Sequence, residues 1–273
     1  MKNILVLVQD YPDNSGSVAL MYVHVRNKYY AKHNINVTVL NFTATGNYII
    51  DGIKVITEKT YKKENRNYDV VVSHAANIKN HYRFLKKYDK FFQKMIFFFH
   101  GHEILLINEV YPQPFEYMKK DGWGRKISQN IYDRFKLMMW HYYFRKIAYK
   151  SEFVFVSNSL YMEFQKYVKL TKKDLNGNVH IINNSVGEIF EEHTYSLACN
   201  KKFDFITIRN NMDSSTYCID LVCKLAEENP EMHFLLIGKG KIFEHIHKPN
   251  NVTWINKFLQ HDEMLKCIDS AKC

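Results

Sequence analysis

Short apolar runs separated by helix-length segments fix the class of fold open to this chain. Ile4–Val8, Met95–Phe99, Phe153–Val156 and Phe234–Ile237 are continuous and rich in β-branched or aromatic residues, and each stops at a polar residue or a glycine. A run that is apolar at every position buries both faces of its strand, the habit of a parallel sheet covered by helices on both sides. Val37–Leu40, Asp69–Ser73, Val179–Ile182, Phe203–Ile208 and Val252–Ile255 read as further strands. Helical segments fall between them, near 18–31, 78–88, 125–149, 160–168, 217–228 and 261–271. Ser17 or Asn14 is expected to cap the first of these. Asn47–Thr57 reads as a hairpin turning at Asp51-Gly52, a pair suited to a two-residue turn. The alternation predicts an α/β protein with doubly wound parallel sheets. No run approaches the ~20 residues needed to span a bilayer.

Asn183–Lys202 has no strong period and contains Gly187, so it reads as a linker. The expected organisation is therefore an N-terminal Rossmann-like domain over 1–185, a linker over 186–202 and a second Rossmann-like unit over 203–273. That second unit ends at Cys273 with few strands for a sheet buried on both faces, and reads as a domain cut short. The opening Met1-Lys2-Asn3 runs straight into a strand without the apolar core of a signal peptide, so a cytoplasmic location is expected. The five cysteines, Cys199, Cys218, Cys223, Cys267 and Cys273, are odd in number and irregularly spaced, which suits reduced thiols rather than disulfides or a zinc site.

Charge is unevenly placed. The chain carries +10 overall; residues 1–185 carry 28 basic and 15 acidic side chains, a net of +13, and residues 186–273 a net of −3. A basic field of this kind suits a phosphate-bearing partner or an anionic membrane. Zinc-finger, helix-turn-helix and aromatic-basic RNA signatures are missing from the sequence, so nucleic acid is not an expected partner. The segment 125–150 mixes Arg125, Lys126, Arg134, Lys136, Arg145, Lys146 and Lys150 with Trp140, Tyr142, Tyr143 and Phe144. Basic plus aromatic suits a peripheral contact with an anionic membrane; a domain helix with a basic outer face is the other reading.

Open α/β sheets bind ligands beyond the carboxyl ends of their strands. The residues that follow the strands are therefore candidates: Gln9, Asp10 and the Gly16 loop; His100-Gly101-His102-Glu103; Ser157-Asn158-Ser159; Arg209-Asn210; and Gly238-Lys239-Gly240. Glycine lets a phosphate approach the backbone, and Arg and Lys supply its counter-charge. A GxGxxG after the first strand is absent, which argues against a nicotinamide or flavin cofactor. His100 and His102 lie too close in sequence for a helical zinc pair, so no metal is expected. Each residue also has a plainer reading: Gly16 and Gly238 as turn glycines, His100 as a turn-capping histidine, and Arg209 in a salt bridge with Asp213 or Asp220.

These residues, taken in order, resemble the GT-B glycosyltransferases, in particular family 4 (glycosyl transferases group 1). The resemblance rests on YPDNSG after the first strand, on the strand-tip HGHE, on FVFVSNSLYMEFQKY and on VHIINNSVGEIF. It continues in ITIRNNMDSSTYCIDLVCKLAEENPEMHFLLIGKGKIF and NVTWINKFLQHDEMLKCIDSA, and so covers most of the chain. It implies two Rossmann-like domains facing a cleft. It implies an enzyme that transfers a hexose from a UDP- or GDP-sugar to a glycan or lipid-linked acceptor, with retention at the anomeric carbon and without a metal. Bacterial surface polysaccharide, capsule or lipopolysaccharide assembly is the implied setting. Carried over by position, Gly16 would approach the donor diphosphate, His100 would contact the transferred sugar and Arg209 would clamp the diphosphate. Gly238 would line the donor cleft, and Lys257 and Phe258 would lie near the nucleobase. Two departures stand out. The stretch Asp213–Tyr217 has no counterpart of the family's diphosphate Lys, a role left to Lys239, and the family's paired glutamates would fall beyond Cys273. The alternative is a non-catalytic, degenerate glycosyltransferase-like module that binds a partner or an anionic membrane.

Overall fold

The computed structural model describes residues 2–64, 68–118, 123–195 and 201–273. The chain divides into two compact units, one of Met1–Ile107 and Ser128–Gly187, the other of Asn108–Ile127 and Glu188–Cys273. The segment 108–127, which the sequence reading leaves within the N-terminal region, groups with the second unit. Residues 196–200 of the expected linker, with Cys199, lie outside the described residues.

The first unit runs β1 (Asn3–Val8), α1 (Met21–Lys32), β2 (Asn36–Asn41), β3 (Tyr48–Ile50), β4 (Ile53–Ile56), α2 (Glu58–Lys63) and β5 (Val70–His74). A π-helical turn over Ile78–Tyr82 leads into α3 (Arg83–Tyr88), followed by β6 (Lys94–Phe99). Most of the short α4 (Ile107–Val110) and the start of the long α5 (Trp123–Ile147) fall in the segment that groups with the second unit, and the rest of α5 precedes β7 (Ser151–Phe155), α6 (Asn158–Tyr167) and β8 (Val179–Ile181). The eight strands lie in the order β3-β4-β2-β1-β5-β6-β7-β8, all neighbours parallel except β3 with β4. The hairpin turns where expected, with Asp51 (φ 47°) and Gly52 (φ 77°) both left-handed, as a type I′ turn requires. The first helix begins later than its polar flank suggests. Leu20 stands at its N-terminus in a left-handed conformation, and neither Ser17 nor Asn14 caps it. Asp13 instead accepts hydrogen bonds from the backbone N–H groups of Ser15 and Ser17 and organises the loop ahead of it.

Both faces of this sheet are covered, as continuous apolar strands demand. One face collects Val6, Val8, Val23, Val39 and Val55. The other is aromatic. Parallel pairing sets Phe97 beside Phe153 and Phe99 beside Phe155, with ring centroids 5.8 Å and 4.7 Å apart. α5 lies over this layer. Its Trp140, Tyr143, Phe144 and Ile147 are buried, and Phe144 meets Phe97 edge-on at 5.0 Å. Each fully buried ring contributes about 2–3 kcal/mol of hydrophobic stabilisation. This corrects the sequence reading of 125–150: Trp140, Tyr143 and Phe144 are core residues, and of the four aromatics named there only Tyr142 faces outward. The spacing of three and four residues, not the composition, decides which face each takes.

The second unit holds α7 (Glu188–Glu191), β9 (Phe205–Asn211), α8 (Ile219–Glu228), β10 (Phe234–Lys239), β11 (Val252–Ile255) and α9 (His261–Asp269). Its parallel sheet has the order β11-β10-β9. The central β10 alternates between two small cores. Phe234 and Leu236 pack with Met212, Ile219 and Cys223, whereas Leu235 and Ile237 pack with Phe203, Leu259 and Ala271. Phe115 and Tyr117, from the segment 108–127, lie against the first of these cores. Each unit is thus an α/β structure on a parallel sheet, the class predicted by the alternation. Cys218, Cys223, Cys267 and Cys273 are free thiols.

Candidate functional site

The strand tips of the two units hold the candidates read from the sequence. In the first unit the chain leaves β1 toward β2 on one side and reaches β5 on the other, so β1 and β5 flank the point where strand order reverses. Gln9, just after β1, accepts hydrogen bonds from the Asn77 and Asn80 amides at 2.6 and 2.8 Å and fixes the turn after β5. His74 ends β5 and is fully buried. Its Nδ1 lies 3.1 Å from Nε2 of His100, just beyond β6, so one ring donates to the other. His74 stacks on Phe98 at 4.7 Å, and the Arg26 guanidinium lies 4.4 Å from the centre of the Phe98 ring. Tyr22 of α1 sits against His100, with centroids 4.5 Å apart.

Burial sets the charge state here. It pushes His74 well below the ordinary histidine range, and the neighbouring His100 and Arg26 add to the effect. His100 is lowered to about 3, first by burial and then by Arg26 and His102. Both rings are neutral at physiological pH. The Nδ1 of His100 and the Nε2 of His74 are buried and have no hydrogen-bond partner. His100 therefore turns one nitrogen to His74 and the other to a buried position, and presents neither to solvent.

The loop carrying His100 is held from below. Gly101 (φ 149°) begins a turn whose backbone N–H groups, from His100 and Gly101, donate to the buried Glu103 carboxylate. Beneath it lies Lys136, which the sequence reading counts among the basic residues of the surface segment 125–150, paired with Asp133. Lys136 of α5 is buried, and its ammonium donates to the carbonyls of His102 (2.7 Å) and Leu105 (3.0 Å) and to Asp133 (2.8 Å). All three of its protons are used. Asp133, also buried, accepts in addition from Gln129 and from the Ile107 backbone N–H. The three-residue spacing of Asp133 and Lys136 on the same face as Trp140 and Phe144 was the available signal.

A cavity of about 370 Å³ opens at the carboxyl ends of β1 and β2. Asp10, Asp13, Asn41, Thr43, Thr45 and Tyr48 contribute to its wall, which contains hydroxyls, amides and two carboxylates and no basic side chain. Thr43 donates to Asp10 and to the Gln9 carbonyl, and Tyr48 donates to the Pro12 carbonyl, so the wall is internally braced. Among the described residues the Oδ2 atoms of Asp10 and Asp13 carry no hydrogen bond. Gly16 lies in the neighbouring loop with φ 94°, and an added Cβ there would meet nothing within 4 Å. Its conformation, not crowding, calls for glycine.

In the second unit Arg209 lies near the end of β9 and is exposed. Its guanidinium sits 5.1 Å from the centre of the Tyr217 ring and makes no ion pair among the described residues. The pairing with Asp213 does not form, because the Asp213 carboxylate is occupied. It accepts from the Lys241 backbone N–H at 2.9 Å and from the Tyr117 hydroxyl at 2.9 Å. Burial and Asp213 together raise the Tyr117 phenol above its ordinary range. Nor does Asp220 pair with Arg209.

Gly238 has a reason internal to the fold. At φ 148° a Cβ would lie 1.9 Å from the carbonyl oxygen of Arg209, so β10 can approach β9 this closely only through a glycine. The ladder also shifts register here, between Ile237 and Lys239. Lys239 follows, exposed, with its ammonium 4.7 Å from the centre of the Phe258 ring and without a carboxylate partner among the described residues. Lys257 is paired with Glu263 at 3.1 Å.

Among the described residues no group of three or more His, Cys, Asp or Glu side chains is arranged to hold a metal ion. No described helix is long and apolar enough to cross a membrane. No protein-family model and no curated protein matches the chain. Among solved structures, the chain is similar to a UDP-N-acetylglucosamine 2-epimerase from Rickettsia bellii, at 10% identity over 99% of this chain and 72% of that one, with a TM-score of 0.47. It is also similar to the glycotransferase of kitacinnamycin, at 9% identity over 94% of this chain and 71% of that one, with a TM-score of 0.46.

Proposed function

We propose that this protein transfers a sugar from a UDP- or GDP-sugar to a hydroxyl of a glycan or lipid-linked acceptor, with retention at the anomeric carbon. The observation that carries this reading is the pair of unneutralised cations on adjacent parallel strands of the second unit. Arg209 and Lys239 lie against aromatic rings instead of carboxylates, so both charges remain available. A guanidinium and an ammonium at strand ends match a diphosphate. The cavity of the first unit complements this assignment. Two carboxylates, amides and hydroxyls without a cation suit the hydroxyls of a neutral sugar and disfavour a phosphate.

In the proposed reaction the acceptor oxygen forms a bond to the anomeric carbon as the bond from that carbon to the diphosphate oxygen breaks. The acceptor proton passes to an oxygen of the departing diphosphate, and Arg209 and Lys239 stabilise the charge that develops there. This route needs no protein base, which agrees with a neutral His100 whose nitrogens both face the interior. The same inward-turned His100 favours the second reading, a module that binds nucleotide without turnover. Release of nucleoside diphosphate from a sugar donor separates the two.

Calorimetric titration of UDP and GDP into the protein and into Arg209→Ala tests the shared premise. Loss of a charged hydrogen bond predicts affinity lower by about 10- to 150-fold. Equal affinities would remove Arg209 from the site and the reading with it.

A further inference from the structure

We infer that the outward face of α5 docks on an anionic lipid bilayer. The inner face of this helix is fully engaged by the aromatic layer. Its outer face carries Ile127, Ile131, Phe135, Met138 and Tyr142, all exposed, with Ile131 65% and Tyr142 67% accessible. Their spacing of four, four, three and four residues brings them within an arc of about 80° at 100° per residue, one continuous stripe. The stripe is about 22 Å long at 1.5 Å per residue. Tyr149, 74% exposed in the turn that follows, extends it. Stripes of this width normally face a core, and here nothing described covers it.

Charge selects the occupant. Lys126, Arg134, Arg145 and Lys146 are exposed on the same helix. Asp133 is the only acidic residue between 123 and 150, and it is buried against Lys136. Every charge that α5 shows to the outside among its described side chains is therefore positive. The surrounding residues 1–185 carry a net of +13, whereas 186–273 carry −3. A long apolar stripe on a helix whose exposed charges are all cations is the arrangement of a helix lying in the plane of an anionic interface, with its side chains reaching the acyl boundary. The inference rests on the helix alone and is independent of the transferase reading.

The experiment is flotation of the full chain with vesicles of phosphatidylcholine containing about 30% phosphatidylglycerol, against phosphatidylcholine alone. Binding to the anionic vesicles only is expected, with release as NaCl rises from about 0.05 to about 0.5 M. Ile131→Ser/Phe135→Ser/Met138→Ser should lower partitioning at least about tenfold. Arg134→Glu/Arg145→Glu should lower it by about fivefold or more per residue. All five positions are exposed, so the variants should melt within about 2 °C of the parent. Three results would overturn the inference: no binding to anionic vesicles, equal binding to both vesicle types, or a triple-serine variant that binds like the parent. A parent that is dimeric by sedimentation, becomes monomeric on the same substitutions and ignores lipid would assign the stripe to a second copy of the chain instead.

Discussion

Lys136→Met tests how the loop bearing His100 is built. Methionine keeps the aliphatic stem and its packing but removes an ammonium that makes three hydrogen bonds, to the His102 and Leu105 carbonyls and to Asp133. Asp133 is then left fully buried with only Gln129 and the Ile107 N–H as donors. Breaking a buried pair by removing one partner costs about 3–5 kcal/mol, because an uncompensated charge remains. For a domain of this size each kcal/mol lowers the melting temperature by about 2–4 °C, so a fall of about 6–20 °C is expected. Calorimetry with urea unfolding monitored by near-ultraviolet circular dichroism reads it. Asp133→Leu added to Lys136→Met removes the orphaned carboxylate and should recover at least about 2 kcal/mol, so that the two substitutions are strongly non-additive. A single variant destabilised by less than about 1 kcal/mol, or strict additivity, would refute the claim that this pair carries the loop.

Three further outcomes follow from backbone conformation and from burial. Gly238→Ala should destabilise the second unit by about 3 kcal/mol or more, because its Cβ would overlap the Arg209 carbonyl at 1.9 Å in a left-handed backbone. Gly16→Ala, at φ 94° but with open space, should cost about 1 kcal/mol, and equal costs in urea unfolding would contradict the geometric argument. His81 and His100 are each lowered to about 3 by burial, so below about pH 6.5 the unfolded chain binds protons that the folded chain refuses. Stability is then fully present above about pH 6.5 and is lost as the pH falls toward 3, by about 2 kcal/mol per histidine at pH 5. His81→Leu should shallow that slope by one proton; unfolding midpoints equal at pH 5 and pH 7.5 in the parent would exclude it.

The strands were legible because a parallel sheet buried on both faces writes itself as uninterrupted apolar runs. Phe234–Ile237 is such a run, and the structure splits its residues between two cores. The hairpin at Asp51-Gly52 was legible for a different reason: few residue pairs accept two successive left-handed conformations. What composition hid was direction. The segment 125–150 read as one basic-aromatic surface, yet Lys136 and Trp140 point inward while Ile131 and Phe135 point out. Periodicity carried that information, and the aliphatic residues of the outer stripe drew no notice beside the aromatic ones. The competition for Asp213 was beyond reach of the sequence, since its partners Tyr117 and Lys241 lie 96 and 28 residues away.

The path of the chain bears on how the protein is made. The polypeptide leaves the first unit after Ile107, contributes Asn108–Ile127 with the first residues of α5 to the second, and returns from Ser128 for the rest of α5 and beyond. Phe115 and Tyr117 are synthesised long before Met212, Ile219 and Phe234, against which they finally rest. At about 5–20 residues per second this leaves them waiting roughly 5–20 s on the ribosome with no partner to cover them. No single cut of the chain yields both units intact, so shortened versions ending near residue 185 would leave these rings without their native packing, and a chaperone acting during translation would find its natural target there.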